Sequence, residues 1–334
     1  MGNPIRDTPC PRSVVIPTWN GGARFERLLE VLADQELEGG FELIVIDSGS
    51  TDGTAEAARR AGARVIDIPQ SEFGHGRTRN QAIAASGGER IALLTQDAIP
   101  MDQDYLANLF GALDDDSIDG AYARQFPLPD CDPLIAERLR QWSASRDTPV
   151  IQEFVPGDAE ASVAKFEELP PLERYLACAY DNVASCLRRS TWERFPYPER
   201  SFGEDVAWAR EVLRAGGRIA FEPGARVEHS HNLQLEREFK RIYCDHRNLI
   251  ALFGLHNVPT WGDVWRGWAY QRNFYRELLS GLELPTLTRW RWRLVSIPHA
   301  LFETAAQFLG ARSHWKAEES RFWAFADRRI RRGV

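Results

Sequence analysis

Between residues 13 and 126, short apolar runs alternate with amphipathic stretches, and that rhythm admits few folds. Strands are expected at 13–17, 41–47, 64–68, 90–95 and 120–125, and helices at 22–35, 54–61, 77–85 and 103–113. Such alternation builds an α/β fold: a mostly parallel, Rossmann-like sheet with helices on both faces. The run Ile91-Ala92-Leu93-Leu94 has no polar alternation, the pattern of a strand covered on both sides. Sheets of this kind meet ligands at the carboxyl ends of their strands. The candidate positions are therefore 18–20, 47–50 and 96–98, a set that includes Thr18, Asn20, Asp47, Ser48, Gln96 and Asp97.

After residue 132 the pattern loosens, with helices expected at 133–145 and 172–179 between acidic, proline-rich loops. A convincing helix at 206–215 precedes short strands at 218–221 and 225–228, and everything from residue 233 onward reads helical. This divides the chain into an α/β unit, 1–232, and a helical region, 233–334.

Charge separates the same two parts. Residues 260–334 hold 13 Lys and Arg against seven Asp and Glu, whereas the rest holds 28 against 41, so a basic tail follows an acidic body. Seven of the eleven tryptophans lie in that tail. Arginine mixed with tryptophan suits helices lying on an anionic membrane surface; a helical domain with its indoles packed inward gives the same composition. The acidic body argues against a nucleic-acid partner. The five cysteines show no C-x-x-C pair, and no apolar stretch has the length of a membrane span or signal peptide, so a cytoplasmic protein is expected.

Several motifs carry chemistry. Asp97, alone at the exit of the fourth expected strand, suits a ligand group or a turn cap. In "DSGSTDGT" the Asp47 carboxylate is able to accept from a nucleobase or ribose, although a plain turn has the same composition. Arg79 and Asn80 open a helix whose amides favour a phosphate. His75, between Gly74 and Gly76, reads as a flexible residue without a role. His229 and His231 fall on one side of an extended chain, placed for a metal or diphosphate or merely for solvent. Ser201-x-x-Glu204 has the form of a capping box.

The ordered set "SVVIPTWN", "VIDSGSTDGT", "GRTRNQA", "LLTQDA" and "FGEDVAWA" resembles a family 2 glycosyltransferase of the GT-A fold. "FGHGRTRNQA", "LTQDAIP", "DNVASCLRRSTW" and "VEHSHN" look like its rhamnosyltransferase branch, and the resemblance spans about residues 12–250. It implies inverting transfer of a sugar, L-rhamnose from dTDP-rhamnose, to a cell-surface polysaccharide on a lipid carrier. It also implies Mg²⁺ or Mn²⁺ at Asp97, with His229 or His231 as further ligands. The family's acidic D-x-D element is reduced here to Gln96-Asp97-Ala98, leaving Gln96 for the ribose or sugar. The base falls on Asp205, beside Glu204, while Asp181, Asn182 and Ser185 border the acceptor and Trp192 belongs to the core. A UDP-hexose donor, a nucleotidyltransferase and an inactive nucleotide-binding protein are the rival readings. The first shares every motif, the second calls for a basic glycine-rich loop after the first strand where "PTWNGGARFERLLE" offers two glycines and one nearby Arg, and the third is at odds with the intact Asp205 element.

Overall fold

The computed structural model describes residues 4–6, 10–232 and 234–332, the side chain of Ser143 apart. Its first half follows the expected alternation: β1 (Arg12–Thr18), α1 (Gly22–Ala33), β2 (Glu42–Asp47), α2 (Thr54–Arg60), β3 (Arg64–Asp67), α3 (His75–Ala85) and β4 (Arg90–Leu94). A two-residue β5 (Ile99–Pro100), α4 (Tyr105–Gly111) and β6 (Gly120–Phe126) follow. The looser segment contains α5 (Pro133–Arg140), β7 (Val150–Gln152), α6 (Ala159–Glu168), α7 (Pro171–Ala177), β8 (Ala184–Arg188) and α8 (Arg189–Arg194). Then come α9 (Glu204–Arg214) and β9 (Ile219–Glu228), and four helices end the chain: α10 (Leu235–Phe253), α11 (Trp261–Gly281), α12 (Thr286–Glu319) and α13 (Arg321–Ile330).

The strands form one sheet in the order β3-β2-β1-β4-β8-β6-β9-β5, with β7 also on β9. Pairings among β1 to β4 are parallel, as the alternation requires, and β6 runs parallel to β9. The sheet as a whole is mixed, because β8 runs antiparallel between β4 and β6. β8 went unread in the sequence: Ala184-Ser185-Cys186-Leu187 is short, buried on both faces and without a β-branched residue. The two strands expected at 218–221 and 225–228 are one, β9, whose register slips opposite Ala123 and Arg124.

Burial on both faces follows from the strand sequences. Val14, Ile16, Leu43, Val45, Ala92 and Leu94 pack against α1 and α4, whereas Val15, Ile44, Ile46, Ile91 and Leu93 face α3 and α9. The second core also takes in Leu249, Leu252 and Phe253, so the end of α10 packs with the sheet unit. α10 therefore joins the sheet unit to the helical region, where α12 crosses it so closely at Gly310 that a Cβ there would lie 2.2 Å from the Tyr243 carbonyl. No helix among the described residues is long and apolar enough to cross a membrane. The tail's tryptophans divide: Trp292 is buried, whereas Trp261, Trp265, Trp290 and Trp315 are exposed.

Candidate active site

The exits of β1, β2 and β4 are tied together by hydrogen bonds between their loops. Asp47 is buried, and its carboxylate accepts the Gly49 and Ser50 backbone amides at 3.0 and 2.8 Å and the Ser50 hydroxyl. Those three contacts fix the Asp47 carboxylate within the turn that follows β2. Ser48 is buried and donates to the Thr18 carbonyl at 3.0 Å. The Gln96 carbonyl accepts the Thr18 hydroxyl at 2.7 Å and the Trp19 amide at 2.8 Å, and its NH₂ donates back to the Trp19 carbonyl at 3.3 Å. Gln96 is therefore a strut between the exit of β4 and that of β1.

Asn20 is the one non-glycine residue at positive φ (46°) among the described residues. Its own amide donates to the Ser50 hydroxyl at 2.8 Å, and its side-chain oxygen accepts the Thr51 amide at 2.9 Å. Asn tolerates this left-handed conformation better than most side chains. The result locks the first loop to the second and leaves Trp19 exposed beside them.

At the far exit, Asp97 meets the two histidines. His229 Nε2 lies 3.7 Å from Asp97 Oδ1, and His231 Nε2 lies 3.6 Å from Asp97 Oδ2. One ligand atom from each falls within 4.8 Å of the others, the only such group among the described residues. Burial depresses the His229 pKa against the pull of Asp97, and burial with the neighbouring His229 pushes His231 down to about 4. Both imidazoles are thus neutral near pH 7, as ligation demands.

The third group lies at the start of α9. Gly203 turns the chain into this helix with φ +67°, and a Cβ there would lie 2.1 Å from Asn248 Nδ2 of α10. Hence the N-cap is Gly203, and the capping box read at Ser201 and Glu204 is corrected: no side chain caps α9. Glu204 instead turns inward to the Arg79 guanidinium at 2.7 Å, where both side chains are nearly sealed from solvent. Arg79 also donates to the His75 carbonyl at 3.2 Å. Asn80 donates to the Tyr197 carbonyl at 2.8 Å and accepts from the Trp192 indole and the Tyr197 amide. Arg79 and Asn80 therefore brace α3 against α9 and the segment before it. Gly76 is a site of close approach, since a Cβ would lie 2.3 Å from the Pro198 carbonyl.

Asp205 follows with a different environment. Its Oδ1 accepts its neighbour Val206's amide at 2.8 Å, and its Oδ2 faces the Asn182 amide at 3.4 Å. Burial, then the nearby charges of Glu204 and Asp181, hold its pKa well above the usual carboxylate range. Such a carboxyl is suited to take up a proton near neutral pH. Asn182 also accepts from Tyr197 and Ser185 at 2.9 and 3.0 Å, and Asp181 accepts Gln125 Nε2 at 2.7 Å. Gln125, Tyr197 and Asn248 thus belong to the site's support, although they stand in ordinary strand, loop and helix contexts that give no sequence signal.

The model of the family described as "Glycosyl transferase family 2" matches residues 13–154. The O-antigen chain rhamnosyltransferase RfbN of Salmonella typhimurium is 32% identical over 91% of this chain and 90% of its own length. This chain belongs to glycosyltransferase family 2. The O-antigen chain rhamnosyltransferase WbaN of Salmonella anatum is similar, at 30% identity over the same shares. Among solved structures, glucosyl-3-phosphoglycerate synthase from Mycobacterium tuberculosis, in complex with Mn²⁺, UDP-glucose and glycerol 3-phosphate, superposes with a TM-score of 0.51. It does so at 20% identity, covering 75% of this chain and 83% of that one. That likeness shows the GT-A fold. Within this family 2 glycosyltransferase the model match ends before Asp205, His229 and His231, so those residues stand on the geometry above.

Proposed function

We propose that the chain is an inverting, metal-dependent transferase that moves L-rhamnose from dTDP-L-rhamnose to an O-antigen-like polysaccharide on a lipid carrier. The observation that carries the chemistry is the presence, in one enzyme of this family, of an Asp97/His229/His231 donor set and a desolvated carboxylate, Asp205. The sugar and acceptor are supported by the two Salmonella relatives, whose names state that activity.

Asp97, His229 and His231 fit a divalent cation, with Mn²⁺ suited better than Mg²⁺ by two imidazoles. The cation, when bound, supplies charge to neutralise a leaving diphosphate. The protein's own residues do the rest. Thr18, Asn20, Asp47, Ser48 and Gln96 hold the three strand exits rigid beneath the nucleotide, with Trp19 exposed above them. Asp205 removes the proton from the acceptor hydroxyl as its oxygen attacks the anomeric carbon opposite the departing nucleotide, and the Arg79–Glu204 pair fixes where that carboxylate stands. The basic tail, with Trp261, Trp265 and Trp290 exposed, would hold the enzyme on the anionic inner leaflet where a lipid-carried acceptor resides.

Calorimetric titration of dTDP and UDP, with Mn²⁺ or with chelator, on the wild type and Asp97→Ala tests this. Preferential, metal-dependent dTDP binding that loses its metal dependence in the variant is expected. Preference for UDP would move the assignment to a UDP-hexose donor, and absence of binding by either nucleotide would overturn it.

A further inference from the structure

We infer that Asp327 of α13 is a positioning residue for catalysis, which holds, from the far end of the chain, the loop that presents Asp205. This rests on the reading of Asp205 as the base, and it gives the last helix a part in the reaction that no motif signalled.

Asp327 is the only acid among residues 321–334, a segment with five arginines. A lone acid in so basic a helix has partners enough at the surface, yet its side chain is only 4% exposed. Two guanidiniums and a phenol converge on it instead. Arg247 Nε of α10 lies 3.0 Å from Oδ1, and the Tyr243 hydroxyl of α10 donates to the same oxygen at 3.0 Å. Arg331, at the end of α13, places Nε and Nη2 each 2.9 Å from Oδ2. Both carboxylate oxygens are therefore engaged, and two cations compensate a charge that burial alone would penalise. Buried pairs of this kind add little net stability over apolar packing. What this one supplies is register, because its contacts form only where α13 lies in one place on α10.

That register reaches the loop before α9 by two routes. Arg331, held by Asp327, extends Nη1 to the Ser201 hydroxyl at 3.4 Å. Phe202 shares one apolar cluster with Tyr243 and Cys244 of α10, Ala306 of α12 and Ile330 of α13. Gly203 comes next, so near Asn248, the neighbour of Arg247, that a Cβ would lie 2.1 Å from its side-chain nitrogen. Three consecutive residues, Ser201, Phe202 and Gly203, thus rest on the C-terminal helices, and Glu204 and Asp205 open α9 directly after them. The Arg79–Glu204 pair fixes the same stretch from α3. A base displaced by an ångström from its acceptor hydroxyl can lose about a hundredfold in rate. The support of this loop is therefore a kinetic matter as well as a structural one.

The test compares the full-length wild type with Asp327→Asn, Arg331→Gln, Asp205→Asn and Asp263→Asn, the last a change to the capping box of another tail helix, α11. Release of dTDP from dTDP-L-rhamnose in Mn²⁺, dTDP affinity, melting temperature and hydrogen exchange over residues 199–206 are measured for each. Asp327→Asn and Arg331→Gln should lower kcat about tenfold to a hundredfold with dTDP affinity unchanged. The acid limb of the kcat profile should move to lower pH, since a loosened loop hydrates the desolvated Asp205, and residues 199–206 should exchange faster. Arg331→Gln, at the 28%-exposed margin of the cluster, decides the matter if Asp327→Asn does not fold. Asp263→Asn should melt earlier with kcat and loop exchange unchanged. Variants at Asp327 and Arg331 that melt earlier yet keep kcat, the acid limb and loop exchange would overturn the role and leave Asp327 a staple of the tail. A kcat that survives Asp205→Asn would instead overturn the reading of Asp205 as the base, on which this role rests.

Discussion

The Arg79 guanidinium meets the Glu204 carboxylate at 2.7 Å inside the protein, the side chains being 5% and 7% exposed. This pair ties the second turn of α3 to the first residue of α9, and Asp205 is the next residue along. The position of the proposed base is therefore set from both sides: by the ion pair on one and by Gly203 against Asn248 on the other.

Breaking such a pair from one side should be severe. Arg79→Met or Glu204→Gln leaves a buried partner uncompensated, and each is expected to cost about 3–5 kcal/mol of stability. The double variant should recover part of that loss, because no lone charge remains buried. Denaturant unfolding at constant m-value measures it. Single losses below about 1 kcal/mol, the range of exposed pairs, would show that the pair is not structural.

Asp205→Asn separates chemistry from folding in the opposite sense. The Asp205 carboxyl has a raised folded-state pKa, so the native state binds the extra proton. Stability is then greatest below the unfolded pKa near 3.8 and declines as pH rises toward the folded value. The Asn variant should lose most of kcat, roughly 10²–10⁴-fold for a missing general base, while its melting temperature at neutral pH is equal or higher. The wild type's activity should fall on the acid side with a midpoint above the ordinary carboxylate range, and thermal melts and rate profiles across pH read both. A variant that melts earlier at neutral pH would mean the carboxylate is paired and charged in the free enzyme.

The sheet and the grouping of Asp97, His229 and His231 were legible because their signals are local. Continuous apolar runs placed β1, β2 and β4, and the two-residue spacing of His229 and His231 put both rings beside Asp97. The β8 strand was not legible, since small buried residues carry no periodicity. Motif position says that a residue such as Arg79, Asn80 or Gln96 lies near a site. It does not say which way its side chain turns. That direction is decided by partners far along the chain, Glu204 for Arg79 and Tyr197 for Asn80. Glu204 misled for a related reason: a local capping pattern competed with a buried cation 125 positions away and lost.

The tail's composition left two readings open, and exposure now separates its aromatic residues. Trp292 packs inward, whereas Trp261, Trp265 and Trp290 are 58%, 57% and 57% exposed, along with Leu287, Leu294, Phe322 and Phe325. Arg272 and Arg293 lie over the Trp268 and Trp290 rings at 5.3 and 5.6 Å, so cation and indole occupy the same surface. Each exposed indole leaves on the order of 100 Å² to bury, or about 2.5 kcal/mol at ~25 cal/mol per Å². Changing Trp261, Trp265 and Trp290 together to Ser should therefore weaken partition onto vesicles rich in anionic lipid by at least ~100-fold. Flotation measures this, and the wild type should also be released as ionic strength rises, because screening removes the arginine contribution. Retained flotation in the triple variant would place the attraction on charge alone. A wild type that floats with neither anionic nor neutral vesicles would assign these aromatics to a contact with another protein.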